Sequence, residues 1–125
     1  SLINSLMGTP YEIETNGKII FLEDVGEAPY RIDRYFSQLR MAGKFDHLKG
    51  AILGKFTRRA KEPPDDDNSF TMMRVLEQYF SNLGVPVIAN FPIGHYKYNV
   101  SFPIGVMAEI DADKQTVRIL ENPTQ

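Results

Sequence analysis

The chain has 125 residues, 42% of them hydrophobic and 24% charged, with a net charge of -2 and no cysteine. This size and composition are typical of one globular domain that buries a core. The small net charge gives no general attraction to nucleic acid or anionic lipid, and the absence of cysteine excludes disulfides, thiolate catalysis and cysteine-ligated metals. No apolar run approaches the roughly 20 residues that span a bilayer. From the charge and the lack of such a run, we expect no nucleic-acid or membrane partner.

The first part of the chain alternates predicted helices with predicted strands. Residues 1–7 place apolar side chains on one helical face and predict a short helix. The apolar run Lys18-Ile-Ile-Phe-Leu22 predicts a strand that is buried on both faces and ends at Glu23. A helix is predicted over residues 29–42, because Pro29 suits a first helical turn and apolar residues then recur at helical spacing.

The second part continues the alternation and then changes character. Residues 48–53 predict a second buried strand, residues 69–83 a helix and residues 85–89 a third strand. Residues 106–110 and 116–120 predict two short strands joined by a hairpin turn. Strands that alternate with helices are joined by right-handed crossovers and form a parallel sheet. The prediction is therefore a single α/β domain with a small mixed sheet, in which a parallel β-α-β-α-β part is followed by antiparallel strands.

Two potentially reactive side chains follow predicted strands. Glu23 comes directly after the first strand, and His95 comes shortly after the third, in Phe91-Pro-Ile-Gly-His95. Because open α/β sheets bind ligands at the carboxyl ends of their strands, we expect these side chains to lie at one edge of the sheet. A carboxylate that accepts the N–H of a histidine fixes its tautomer and leaves the other ring nitrogen free to take a proton from a nucleophile.

Structural roles compete with this interpretation. A histidine in a loop rich in proline and glycine is more often a surface residue, and Glu23-Asp24 could cap the following helix. His47 lies in a helix-to-strand connection, where a surface role is favoured. The segment Asp65-Asp66-Asp67-Asn68 lacks the glycine and glutamate of a calcium loop, so a solvated loop with a helix cap is favoured. The basic cluster nearby, at positions Arg58, Arg59 and Lys61, indicates an exposed loop.

The sequence offers no obvious nucleophile. Its serines are Ser1, Ser5, Ser37, Ser69, Ser81 and Ser101. None lies in a sharp, glycine-flanked turn between a strand and a helix. Ser101 is near His95 in sequence, but it precedes a proline-containing segment in what the pattern predicts to be a strand. The residues alone therefore indicate two members of a catalytic triad without the third.

Several segments resemble, in order, the C-terminal domain of the LD-carboxypeptidase family of serine peptidases. The longest is Phe21-Leu-Glu-Asp-Val-Gly-Glu-Ala-Pro-Tyr-Arg-Ile-Asp-Arg34, and the histidine loop Phe91-Pro-Ile-Gly-His-Tyr-Lys-Tyr-Asn99 is similar to the loop of that family. Shorter matches are Ser5-Leu-Met-Gly-Thr-Pro-Tyr-Glu12, Gly50-Ala-Ile-Leu-Gly-Lys-Phe56 and Phe102-Pro-Ile-Gly105. The resemblance implies that residues 1–125 are the C-terminal domain and that an N-terminal domain, absent here, carries the serine nucleophile.

The resemblance also implies roles for individual residues. Glu23 and His95 match the glutamate and the histidine of the family's triad. Glu27 is the main rival for the carboxylate role, but Glu23 is preferred because its position at a strand end is better fixed. Four further residues fall within the matched motifs and are expected to have structural roles: Asp24, Tyr30, Arg34 and Asn99.

The implied reaction is hydrolysis of the amide between an L-diamino acid and the terminal D-alanine of a murein tetrapeptide, in cytoplasmic cell-wall recycling. It needs no metal or organic cofactor, and this chain alone is expected to be inactive. The expected partners are the tetrapeptide, the N-terminal domain and a second copy in a homodimer; self-association would also cover the apolar side chains of Leu2, Ile3 and Leu6. The alternatives are a hydrolase of the same family that cleaves microcin-type peptide–nucleotide conjugates, and a non-catalytic binding or assembly module.

Overall fold

The computed structural model describes residues 1–57, 71–95 and 97–122, and its helices and strands follow the predicted order. The elements are α1 (Leu2–Ser5), β1 (Ile19–Val25), α2 (Pro29–Met41), β2 (Gly50–Thr57), α3 (Met72–Phe80), β3 (Val87–Ile88), β4 (Ala108–Asp111) and β5 (Thr116–Ile119). The predicted acidic segment 65–68 and the basic cluster at Arg58, Arg59 and Lys61 lie outside the described residues.

The central sheet is parallel and has the order β1-β2-β3. Its middle strand is buried on both faces, since Ala51, Ile52 and Leu53 are all inaccessible although their side chains alternate between the faces. This burial explains why the strand reads as a continuous apolar run rather than an alternating one. The predicted α/β class, parallel first and antiparallel at the end, is confirmed.

The antiparallel hairpin β4-β5 differs from the prediction in one respect, because it forms a two-stranded sheet of its own instead of extending the parallel one. Its position explains the difference. Ile110 of β4 packs onto the first residue of β2, so closely that a Cβ on Gly50 would lie 2.9 Å from the Ile110 side chain. The hairpin therefore packs against the start of the central strand rather than pairing with a sheet edge.

Helices α2 and α3 cover one face of the parallel sheet. Of the apolar positions predicted for α2, Ile32, Phe36 and Leu39 are buried, Tyr35 is half-buried and Ala42, just after the helix, is exposed. Phe36 makes edge-to-face ring contacts with Tyr79 and Phe80 at 5.5 and 5.2 Å. Such aromatic pairs contribute about 0.5–1.5 kcal/mol each beyond the burial of their area. The helical spacing of Met73, Leu76, Phe80 and Leu83 predicts the buried stripe of α3, and this prediction is wrong at Met73, which is 51% exposed. The buried face of α3 is formed by Val75, Leu76, Tyr79 and Phe80.

A polar contact joins the two helices inside this apolar layer. The buried hydroxyl of Tyr79 donates a hydrogen bond to Oδ1 of Asp33, at 2.8 Å. Burial, and next this hydrogen bond, raise the pKa of the Tyr79 phenol. The guanidinium of Arg40 lies over the Tyr79 ring at 4.2 Å and donates to the carbonyl of Gln78 at 2.9 Å. The contact fixes α3 against α2, and both helices in turn position the sheet.

The N-terminal helix is shorter than predicted and packs only in part. Ile3 contacts the core, whereas Leu2 and Leu6 are exposed, so the apolar surface expected at these residues is present in part. Whether self-association covers it stays a prediction. Within the described part of the chain, no helix is both long and apolar enough to cross a membrane.

Candidate active site

Glu23 lies inside β1 rather than just after it, because the strand continues to Val25. The ladder between β1 and β2 shifts at this point: Leu22 pairs with Leu53 but Asp24 pairs with Phe56, so two residues of β2 oppose Glu23 alone. Bulges of this kind redirect side chains and are common beside active sites. The bulge therefore interrupts the regular register at the residue predicted to be reactive.

Gly54, one of the two bulged residues, allows three segments to meet. A Cβ at this position would lie 2.7 Å from the carbonyl oxygen of Ile93 and 3.0 Å from the Cβ of Glu23. The first distance is shorter than real Cβ contacts show, against a backbone atom, and the second is tighter than most of them. Glycine therefore lets β2 approach β1 and the histidine loop together. The sequence signal was a glycine in a buried strand, which indicates a bulge or a close backbone approach.

His95 is carried by an irregular segment that continues beside β2 after β3 ends. Asn90 turns the chain with a φ of 57°, a left-handed conformation that asparagine tolerates better than most residues. The N–H of Phe91 then donates to the carbonyl of Leu53 at 3.0 Å, and the N–H of Ile93 donates back to the carbonyl of Phe91 at 2.8 Å. The buried side chain of Ile93 anchors the segment two residues before His95.

The structure brings Glu23 and His95 together, although they are 72 residues apart in sequence. Nδ1 of His95 lies 3.1 Å from Oε1 and 3.2 Å from Oε2 of Glu23, and the backbone N–H of His95 donates to Oε2 at 3.4 Å. The Glu23 side chain is 18% exposed, whereas that of His95 is 70% exposed. Nδ1 thus faces a largely buried carboxylate, and no partner in the described residues bonds Nε2.

The rival carboxylate is engaged elsewhere. Oε2 of Glu27, which lies just before α2, pairs with Nη1 of Arg31 in the first turn of the helix, at 3.2 Å. Hydrogen bonds with the Tyr30 hydroxyl and then with Glu27 raise the pKa of the Arg31 guanidinium. His47, the other histidine, is exposed, as predicted for a surface residue. Of the carboxylates considered, Glu23 is therefore the one that contacts His95.

A glycine with an unusual backbone precedes His95. Gly94 has a φ of +108°, and a Cβ there would lie 2.6 Å from Oε2 of Glu23. Its N–H donates to Oδ1 of Asn99 at 3.3 Å, and the N–H of Val100 donates to the carbonyl of Pro92 at 2.9 Å, which closes the loop. The sequence motif contained Gly94 and Asn99, but a contact with the glutamate could not be read from it.

A cleft of about 350 Å³ lies beside His95. Its lining is mostly apolar, with three polar side chains; it consists of Phe21, Ile93, Gly94, His95, Asn99, Val100, Ser101, Phe102 and Ile104. This volume is within the range of sites for small ligands. A larger groove, of about 1020 Å³, runs from Glu23 and His95 along β1 and the segment 102–108.

The described residues do not place a serine against the histidine. Ser101 lines the cleft, but no hydrogen bond joins it to His95, and it lies in irregular chain rather than in the predicted strand. Ser69 lies outside the described residues. In the part of the chain that the structure covers, no three histidine, aspartate or glutamate side chains are clustered to hold a metal ion. The pair can accept and return a proton, given a nucleophile.

Comparisons with known proteins identify the family of the chain. Residues 1–110 match the family described as LD-carboxypeptidase C-terminal domain. The chain is 38% identical over 119 residues to the probable murein peptide carboxypeptidase of Bacillus subtilis strain 168, which covers 95% of this chain and 37% of that protein. It is 30% identical over 110 residues to the microcin C7 self-immunity protein MccF of Escherichia coli, which covers 85% of this chain and 30% of that protein.

A solved structure gives the same result at the level of the fold. The crystal structure of muramoyltetrapeptide carboxypeptidase from Oxalobacter formigenes superposes with a TM-score of 0.77 and 31% identity, over 93% of this chain and 39% of that chain. The chain thus spans well under half the length of these proteins. It belongs to the LD-carboxypeptidase family, and residues 1–110 match the C-terminal domain of that family.

Proposed function

We propose that this chain supplies the general base, His95, and its orienting carboxylate, Glu23, to a serine-type LD-carboxypeptidase. The substrate is a murein tetrapeptide, whose amide between the L-diamino acid and the terminal D-alanine is hydrolysed during cell-wall recycling in the cytoplasm. The single observation that supports this role is the contact between Nδ1 of His95 and both carboxylate oxygens of Glu23, at 3.1 and 3.2 Å. No metal or organic cofactor is required.

The geometry suits a base of this kind. The Glu23 carboxylate favours the tautomer that carries its proton on Nδ1, which leaves a lone pair on Nε2. The same negative charge stabilises the imidazolium that forms when Nε2 takes a proton. Because the His95 side chain is 70% exposed, it is accessible to a residue from another part of the protein.

We infer that the nucleophile belongs to an N-terminal domain of the same protein, outside these 125 residues. His95 takes the proton of the serine hydroxyl as the serine oxygen attacks the amide carbon, and it then gives this proton to the departing D-alanine amine. Water hydrolyses the acyl-enzyme by the same route and regenerates the serine. Backbone N–H groups near the serine stabilise the tetrahedral oxyanion. The isolated chain is therefore inactive.

A second substrate class is supported by the 30% identity to the microcin C7 self-immunity protein MccF. A hydrolase of microcin-type peptide–nucleotide conjugates would use the same pair with a different acyl pocket. A non-catalytic binding or assembly module would instead use the pair only as a structural contact, and the open Nε2 of an exposed His95 argues against this option.

The deciding experiment measures D-alanine release from the murein tetrapeptide by the full-length protein, beside its His95→Ala variant. We expect release by the parent and a loss of at least about 1000-fold in kcat in the variant, as for other triad residues. Cleavage of a peptide–nucleotide conjugate without D-alanine release would favour the second class. Release that survives in the variant would mean that His95 is not the base, and release by the isolated chain would place the nucleophile within it.

A further inference from the structure

We propose that Asn99 is a positioning residue, which holds the peptide bond before Gly94 and thereby orients His95 toward Glu23. The inference rests on the proposed role of His95 as the base. It concerns a side chain that reaches neither the imidazole nor the carboxylate by a hydrogen bond in the described structure, and that acts through the backbone.

Two side chains hold the two peptide planes that flank Gly94. The plane before it carries the N–H of Gly94, which donates to Oδ1 of Asn99 at 3.3 Å. The plane after it carries the N–H of His95, which donates to Oε2 of Glu23 at 3.4 Å. The orientations of these two planes define φ and ψ of Gly94, so Asn99 and Glu23 together select the conformation of the residue before His95.

Gly94 needs this external selection. Its φ of +108° is open to glycine, but glycine populates many other conformations about as readily. A residue with a side chain would be more restricted, yet the carboxylate of Glu23 excludes it, since a Cβ at this position would lie 2.6 Å from Oε2. The site thus requires the most flexible residue next to the base. Contacts from elsewhere in the loop must then supply the order that the backbone lacks.

Asn99 is well placed to supply it. The loop returns past Gly94, and its two arms are joined by the hydrogen bond from the N–H of Val100 to the carbonyl of Pro92, at 2.9 Å. This backbone bond fixes the arm that carries Asn99. The backbone at Asn99 is therefore held in place. Its side-chain oxygen then accepts the hydrogen bond that orients the peptide before Gly94.

The expected effect is moderate, because the bond from Gly94 to Asn99 is long for an N–H···O contact and His95 keeps its direct contact with Glu23. Loss of one neutral hydrogen bond changes a conformational equilibrium by about 2- to 10-fold. In the full-length enzyme, Asn99→Ala should lower kcat by this factor, whereas loss of a substrate contact in the cleft that Asn99 also lines would mainly raise KM.

The tautomer of His95 gives a test that needs neither substrate nor serine. The chain has two histidines, so ¹⁵N NMR of the imidazole nitrogens at a pH where both are neutral separates His95 from the exposed His47. In the parent chain we expect His95 to carry its proton mainly on Nδ1. In Asn99→Ala, the ratio of tautomers should move about 2- to 10-fold toward the ratio of His47, while His47 itself stays constant.

Two further variants make the test specific. Asn99→Asp keeps an acceptor oxygen at the same position and should restore the tautomer ratio of the parent. Lys97→Ala removes an exposed side chain of the same loop, which in the described structure lies near the ring of Tyr98, and should leave the ratio of the parent.

An unchanged His95 ratio in Asn99→Ala would overturn the proposal, and so would an equal shift in Lys97→Ala or a failure of Asn99→Asp to restore it. Circular dichroism on each variant verifies that the fold is retained. A full-length protein that releases no D-alanine would contradict the proposed reaction but not this readout, so the two proposals fail separately.

Discussion

The central sheet with its helices and the segment that carries His95 are held together by different interactions. The sheet packs its inner strand between covered faces, and α2 and α3 join over it through a cluster of aromatic rings. The described residues of 89–107 form no helix or strand and are mostly exposed, and they are held by the buried side chain of Ile93 and a few hydrogen bonds.

The candidate site spans this boundary. Glu23 belongs to a strand of the buried sheet, whereas His95 belongs to the exposed loop. The carboxylate is therefore placed by packing of the whole domain, and the base is placed by a small number of local contacts. Substitutions in the loop should change the proposed reaction with little effect on stability, and substitutions in the helix layer should do the opposite.

The largest expected effect is that of Glu23→Gln in the full-length enzyme. The amide has the shape of the carboxylate but no charge, so it neither stabilises the imidazolium nor favours the Nδ1–H tautomer. We expect kcat to fall by about 10³- to 10⁴-fold, as for the equivalent change in a serine protease triad, with an unchanged melting temperature. Glu27→Gln is the matched control, and a comparable loss there would show that the wrong carboxylate has been assigned.

Gly94→Ala should have the next largest effect. The new methyl group would collide with the Glu23 carboxylate, and the alanine backbone would be strained at a φ of +108°. The contact between the carboxylate and His95 must therefore open. A displacement of about 1 Å lowers kcat by about 100-fold. Gly105→Ala is the control, since Gly105 has a φ of +83° but no atom within 4 Å of an added Cβ. Equal losses of activity in both variants would assign the effect to backbone strain alone.

The smallest expected effect lies in the helix layer, where Tyr79→Phe removes the hydrogen bond to Asp33. The free energy of unfolding should fall by about 1 kcal/mol, with kcat unchanged. Chemical denaturation and the D-alanine assay together measure both quantities. A variant with normal stability and reduced kcat would contradict the separation between the two regions.

Tyr79→Phe should also change how the free energy of unfolding depends on pH. Because the pKa of Tyr79 is raised in the folded chain, the unfolded chain loses this proton first as the pH passes 10. Stability therefore declines with rising pH from about 10 upward, and Tyr79→Phe should show a shallower decline. Tyr11→Phe, which alters an exposed side chain, should keep the slope of the parent.

Much of the fold could be predicted because its signals are local. The apolar run of β2, the helical spacing of α2 and the proline at its first turn each report on their own segment, and the structure confirms them. The errors occurred where a distant segment decided the outcome. β1 extends past Glu23 because β2 continues to pair with it. The hairpin forms a sheet separate from the parallel one, and Ile110 packs it against the start of β2 at Gly50.

The same division holds for the site. The sequence by itself placed Glu23 and His95 near the carboxyl ends of strands of one parallel sheet, which predicts a common edge because such ends align. The structure moved Glu23 from the end of β1 into the strand. Only the tertiary structure decided how they meet: through a bulge at Gly54, a glycine without room for a side chain at Gly94, and a hydrogen bond from Gly94 to Asn99. Periodicity and turn chemistry describe neighbours along the chain, whereas these contacts depend on the approach of segments that are far apart in sequence.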